Sequence, residues 1–65
     1  MNITINGSTE AGDYSTVAEL LASQGLDPKL VVVELNCKIV PAADFGQTSL
    51  QEGDSVEIVQ FVAGG

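Results

Sequence analysis

The sequence predicts an α+β domain in two layers, a mixed sheet of four to five strands packed on one helix. Three observations predict it. Met1-Asn2-Ile3-Thr4-Ile5-Asn6 alternates apolar and polar residues and runs into Asn6-Gly7, a strand followed by a strong hairpin signal. One amphipathic segment, with a start signal at Thr16 and a stop signal at Gly25, supplies the helix. Two β-branched runs, Leu30 to Leu35 and Ser55 to Val62, supply further strands after it. A hairpin, a crossover helix and returning strands make one sheet covered on one face. At 65 residues the chain is long enough for one domain and no more.

Each element follows from local chemistry. After the Asn6-Gly7 turn, Ser8 to Ala11 is the returning strand, although its β propensity is poor. Thr16-Val17-Ala18-Glu19 reads as a capping box, with Thr16 at the N-cap and Glu19 reaching back to its amide. Val17, Leu20 and Leu21 fall on one stripe facing the sheet. The helix runs from Thr16 or Val17 to Gln24; Gly25 takes the left-handed position after it and Pro28 prevents continuation. In Leu30 to Leu35, Val31, Val33 and Leu35 share one face, and Val32 and Glu34 the other. Asn36-Cys37 is a turn, and Lys38-Ile39-Val40 a short strand ending at Pro41. Ala42 to Ser49 is irregular, anchored by Phe45, and Leu50 packs inward before the Glu52-Gly53-Asp54 turn. Ser55 to Val62 is the last strand, apolar on both faces as a central strand is. The domain is thus expected over residues 1–62, followed by a flexible tail of Ala63, Gly64 and Gly65.

Composition narrows the function classes. Nine acidic side chains face only Lys29 and Lys38, a formal net charge of −7. Nucleic acid and anionic membrane both need a basic footprint, so neither is expected as a partner. The charge serves solubility, or steers the chain toward an electropositive protein surface. No stretch approaches a membrane span, and Met1-Asn2-Ile3-Thr4 has neither the basic start nor the apolar run of a signal peptide. A single cysteine forms no internal disulfide, and the absence of histidine removes Cys-His pairs and the usual zinc ligand sets. A cytoplasmic location is the default expectation. Carboxylates are scattered and glycines stand singly at turns, so neither an acid–base pair nor a phosphate loop is apparent before the terminus. No catalytic residue, no metal site and no bound cofactor are expected.

What remains is the end of the chain. Gly64-Gly65 is either a frayed tail or the working part of the molecule. Four extended residues from Val62 reach about 13 Å. Glycines without a Cβ thread a narrow channel and adopt backbone angles closed to other residues. The segment after Glu57 carries no charge but the terminal carboxylate, which limits repulsion near ATP phosphates. That carboxylate, ionised at neutral pH, is a poor electrophile. Conversion to an acyl-adenylate by ATP would activate it, with AMP as leaving group. The ATP must be used by another chain, which makes this one a carrier and substrate, not an enzyme.

Along nearly its whole length the sequence resembles the ThiS family of thiamine-biosynthesis sulfur carriers, within the MoaD/ThiS superfamily. The matching segments are Met1-Asn2-Ile3 with Asn6-Gly7, Thr16-Val17-Ala18-Glu19-Leu20-Leu21 and Val33-Glu34-Leu35-Asn36. Ile39-Val40-Pro41, Leu50 to Ile58 and Phe61-Val62-Ala63-Gly64-Gly65 complete them. The resemblance implies a β-grasp (ubiquitin-like) fold. It also implies that a ubiquitin-activating-type adenylyltransferase (ThiF-like) adenylates Gly65, the modified residue, and that sulfur then displaces AMP to leave a thiocarboxylate. A thiazole synthase (ThiG-like) is the implied acceptor, and a sulfur donor such as a cysteine desulfurase the source. The chain departs from the family pattern at Ala42, where a basic residue is common, and at Cys37, where Gly or a polar residue is usual. Cys37 is an incidental turn residue or a reactive thiol; no neighbouring base in the sequence activates it.

Other readings stay open at this stage. Molybdopterin-synthase small subunits share the Gly-Gly end and the chemistry but are usually longer, and a carrier of this type also suits amino-acid biosynthesis. A ubiquitin-like modifier would join Gly65 to a lysine amine. A docking module would use a sheet face and ignore the tail.

Overall fold

The computed structural model describes residues 1–61. Five strands and one helix form: β1 (Asn2–Ile5), β2 (Ser8–Ala11), α1 (Val17–Ser23), β3 (Val31–Leu35), β4 (Lys38–Val40) and β5 (Ser55–Gln60). The sheet order is β2-β1-β5-β3-β4. β5 runs parallel to β1 and antiparallel to β3, so the last strand is the central one. Placing it there joins two hairpins, β1–β2 and β3–β4, with α1 as the crossover between them.

One face of the sheet is closed by α1. Ile3 and Ile5 from β1, Val31 and Val33 from β3 and Val56 from β5 meet Val17, Leu20 and Leu21 of the helix. Phe45 and Leu50 complete this core, both buried as the sequence indicated. Burying aliphatic side chains of this kind contributes about 1.5–3 kcal/mol each, the main term opposing chain entropy in so small a domain.

The helix carries the devices that its sequence advertises, with one difference. Thr16 is extended (φ −135°, ψ 165°) and its Oγ1 accepts the Glu19 N–H at 3.2 Å. The Glu19 carboxylate reaches past the N-cap amide and accepts the Ser15 N–H at 2.8 Å instead. Thr16 is tied in an antiparallel bridge to Ser49, with Val17 N–H on Thr48 O and Leu50 N–H on Ser15 O. Its extended backbone leaves the preceding amide as the one over the first turn. At the far end Gly25 adopts φ +70°, with Leu26 N–H on Leu21 O and Gly25 N–H on Ala22 O, the two bonds of a Schellman cap. The helix therefore ends at Ser23, with Gln24 as cap.

Other boundaries shift for identifiable reasons. β3 starts at Val31 because Pro28–Leu30 forms a 3₁₀ turn, begun by the Asp27 carboxylate accepting the Lys29 N–H at 2.9 Å. The segment expected to be irregular holds a second short 3₁₀ turn, Ala42–Asp44, which brings Phe45 to the core. β5 ends at Gln60, one residue short of Phe61, which the sequence places in the strand and whose N–H bonds to Leu30 O but lies beyond the ladder. Val62, the expected last strand residue, lies outside the described residues, as do Ala63, Gly64 and Gly65. No helix of the described residues is long and apolar enough to cross a membrane.

Candidate functional site: the sheet's open face and the end of β5

The last strand is the element that leads to the C-terminal residues, so what holds it decides how the end of the chain is presented. On its β3 side, β5 is paired along its length, and Phe61 N–H donates to Leu30 O at 2.7 Å. On its other side, the ladder with β1 stops early, because the chain turns at Asn6 (φ +50°) and Gly7 (φ +83°). Asn6 closes the gap with its side chain. Its Oδ1 accepts the Ile58 N–H at 2.7 Å and its Nδ2 donates to Ile58 O at 3.2 Å. One carboxamide thus stands in for the backbone of a further β1 residue. A second asparagine works similarly at the other end of β5. Asn36 Oδ1 accepts the Ser55 N–H at 3.0 Å, and its Nδ2 donates to Asp54 Oδ1 at 3.1 Å.

Opposite α1 the sheet has an open face, and it is divided. Toward β1 and β2 it is polar: Thr4 stands opposite both Thr9 and Ser55, and the two threonine hydroxyls are 3.3 Å apart. Toward β3 and β4 it is apolar. Val32 stands opposite Val59, Phe61 follows Val59 along the chain, and Ile39 stands opposite Glu34. Ile39, Val59 and Phe61 are 68%, 58% and 54% exposed, unusual for large apolar side chains close together on one side of so small a domain. Within this half, Glu34 and Glu57 lie directly opposite one another.

The remaining candidates are simpler. Cys37 is exposed at the β3–β4 turn with φ +71°, next to Asn36 at φ +52°. Both angles belong to a two-residue hairpin turn that requires the left-handed region twice. Among the described residues no cavity forms and no three His, Cys, Asp or Glu side chains cluster as metal ligands. Sequence reasoning missed the open face as a feature. The alternation Val32/Glu34 and Glu57/Val59/Phe61 was legible, but which strands adjoin was not.

The fold and the exposed face at the head of a C-terminal segment define the class: a β-grasp, ubiquitin-like protein. The family model described as ThiS family matches residues 2–65, and the chain belongs to that family. It is 42% identical over 53 residues to the sulfur carrier protein ThiS of Bacillus subtilis, covering 82% of this chain and 80% of that one. The crystal structure of the thiamine biosynthesis protein ThiS from Geobacter metallireducens is similar over 100% of both chains, with a TM-score of 0.84 and 35% identity. Two longer relatives are named thiazole synthase. That of Paramagnetospirillum magneticum is 41% identical over 66 residues and that of Magnetococcus marinus 38%, each match covering all of this chain. The chain spans 20% of the length of each of these two relatives.

Proposed function

We propose that the chain is a sulfur carrier protein for thiazole formation in thiamine biosynthesis. The observation that carries this reading is the family match running through residue 65, so that Gly64 and Gly65 fall inside the matched segment. Likeness to sulfur carriers named as such, in sequence and in fold, supports it.

In this reading an adenylyltransferase of the ThiF-like, ubiquitin-activating type spends ATP on the Gly65 carboxylate. A carboxylate oxygen attacks the α-phosphorus and pyrophosphate leaves, giving the acyl-adenylate. The outer sulfur of a persulfide, carried by a donor such as a cysteine desulfurase, then attacks the carbonyl carbon and AMP departs, and a thiol reductant cleaves the resulting acyl disulfide. The product is a thiocarboxylate at Gly65, whose sulfur passes to a thiazole synthase (ThiG-like). Ala63 and Gly64 form the slender stem that enters the partner's channel. The chain itself binds no cofactor and acts as carrier and substrate, not as enzyme. A cytoplasmic location accompanies that chemistry, since ATP is consumed at each loading.

The role of the fold is to present the end of the chain. β5 is held at the centre of the sheet, clamped by Asn6 on one side and β3 on the other, so its C-terminal end is a fixed point. Intact mass before and after incubation with host lysate, ATP and a sulfur source tests the proposal. A gain equal to one oxygen replaced by sulfur, dependent on ATP and absent when Gly65 is deleted, is the expected result. An unchanged mass in an active lysate refutes it, and a ladder of larger conjugates indicates a protein modifier instead.

A further inference from the structure

We propose that Asn6-Gly7 is a deamidation site, at which the Asn6–Ile58 clamp on β5 sets the rate and is itself destroyed by the product. The inference goes beyond the carrier reading, because the chemistry needs only water and the two residues of the turn.

The step is an intramolecular acyl transfer. The Gly7 backbone nitrogen, having given its proton to solvent hydroxide, attacks Asn6 Cγ. The new N–Cγ bond closes a five-membered succinimide, the Cγ–Nδ2 bond breaks, and Nδ2 leaves as ammonia after taking a proton from water. Water then opens the ring. Cleavage at the Asn6 backbone carbonyl leaves isoaspartate, with the chain continuing through Cγ, and cleavage at Cγ leaves aspartate. The chain has three asparagines, Asn2, Asn6 and Asn36, and only Asn6 precedes a glycine. Ile3 and Cys37 set a Cβ beside the attacking nitrogen, and Gly7 sets none. Asn6 and Gly7 are exposed, and nothing lies within 4 Å of where a Cβ at Gly7 would stand, so water and hydroxide reach the turn. Asn36 supplies an internal comparison. It too has positive φ, +52°, and bonds the start of β5 through its Oδ1, but Cys37 follows it.

Folding restrains the reaction, and the reaction removes the restraint. Ile58 N–H donates to Asn6 Oδ1 at 2.7 Å, and Asn6 Nδ2 donates to Ile58 O at 3.2 Å. A carboxamide fixed at both polar atoms is not free to bring Cγ onto the Gly7 nitrogen, so both bonds open before the ring closes. Neither product restores them. Aspartate keeps an acceptor for Ile58 N–H but sets a carboxylate oxygen against Ile58 O, where a donor stood. Isoaspartate shortens the side group by one carbon and adds one backbone atom between Ile5 and Ser8, which face each other across the turn. Beyond its ladder with β1, β5 is then held by β3 alone. Either product also adds a negative charge to a chain already at −7.

The test incubates the chain at mildly alkaline pH, folded and in urea. Intact mass, peptide mapping and labelling by an isoaspartate-specific carboxyl methyltransferase follow the reaction. Isoaspartate is expected at Asn6, with a mass gain matching one NH replaced by oxygen, and at neither Asn2 nor Asn36 over the same interval. Formation in urea is about 10-fold faster or more than in the folded chain, the ratio that a closed clamp imposes. The aged fraction, separated by its extra negative charge, melts about 4–8 °C lower than fresh protein. Asn6→Asp, which lacks only the donor to Ile58 O, melts lower as well, and Asn6→Gly gains no mass at this position. Absence of modification at Asn6 in urea, or faster modification at Asn2 or Asn36, overturns the site. Equal rates folded and in urea overturn control by the clamp, and an aged fraction that melts with fresh protein overturns its destruction.

Discussion

Removing the Asn6 side chain isolates the contribution of the clamp on the last strand. The carboxamide makes two bonds to Ile58, at 2.7 Å and 3.2 Å, both at a solvent-exposed site. Each such bond contributes about 0.5–1.5 kcal/mol, and exposure favours the lower half of that range. Glycine accepts φ +50° without strain but costs about 0.5–1 kcal/mol in unfolded-chain entropy. Asn6→Gly is therefore expected to cost about 2 kcal/mol. Asn6→Ala loses the same bonds and adds the penalty of a Cβ in the left-handed region, roughly 1–2 kcal/mol, so it should be the worse of the two. A domain of this size has about 3–10 kcal/mol to lose. Thermal melts followed by circular dichroism should drop about 8–16 °C for the glycine variant and further for alanine. Amide exchange gives a local reading. Phe61 N–H and Asn36 N–H show that odd-numbered residues of β5 direct their amides toward β3, so Ile58 N–H faces the other way and is held by Asn6. Its protection should fall more than that of Glu57 or Val59. Melting within about 2 °C of the unsubstituted chain, with Ile58 still protected, would refute the reasoning.

Four further outcomes are expected. Leu20→Ala, at a fully buried position under the sheet, should cost about 2–5 kcal/mol in urea unfolding, enough to threaten the fold. Gly12→Ala should cost about 1–3 kcal/mol, because its Cβ would strike the ring of Tyr14, which packs on the core; an unshifted denaturation midpoint would show that the ring moves away freely. Gly64→Val should abolish or severely reduce sulfur loading read by intact mass, and normal loading would refute the role given to the terminal glycines. Association with the adenylyltransferase should slow as ionic strength rises, as expected for steering by a net charge of −7, and a flat on-rate in stopped-flow measurements would remove that idea.

The readable parts of this fold are the ones governed by neighbours in the chain. Asn6-Gly7 and Asn36-Cys37 turn where they must because both residues of each pair take positive φ. Thr16 caps the helix and Gly25 ends it through bonds that span no more than five residues. Val17, Leu20 and Leu21 are buried together because helical periodicity puts them on one stripe. The small misjudgements were local as well. Pro28 begins a 3₁₀ turn rather than merely stopping a helix, and Glu19 caps Ser15 rather than Thr16.

The sequence by itself determined the class of fold and the core residues of the helix, because each rests on periodicity or turn geometry. Tertiary structure alone decided that β5 inserts between β1 and β3, that Asn6 extends the ladder to Ile58, and that Glu34 faces Glu57. Those facts depend on residues 21 to 52 positions apart in the chain. No local pattern encodes such pairings: they arise only when burial of one sheet face against α1 selects a register and, with it, leaves the other face to carry charge and apolar surface together.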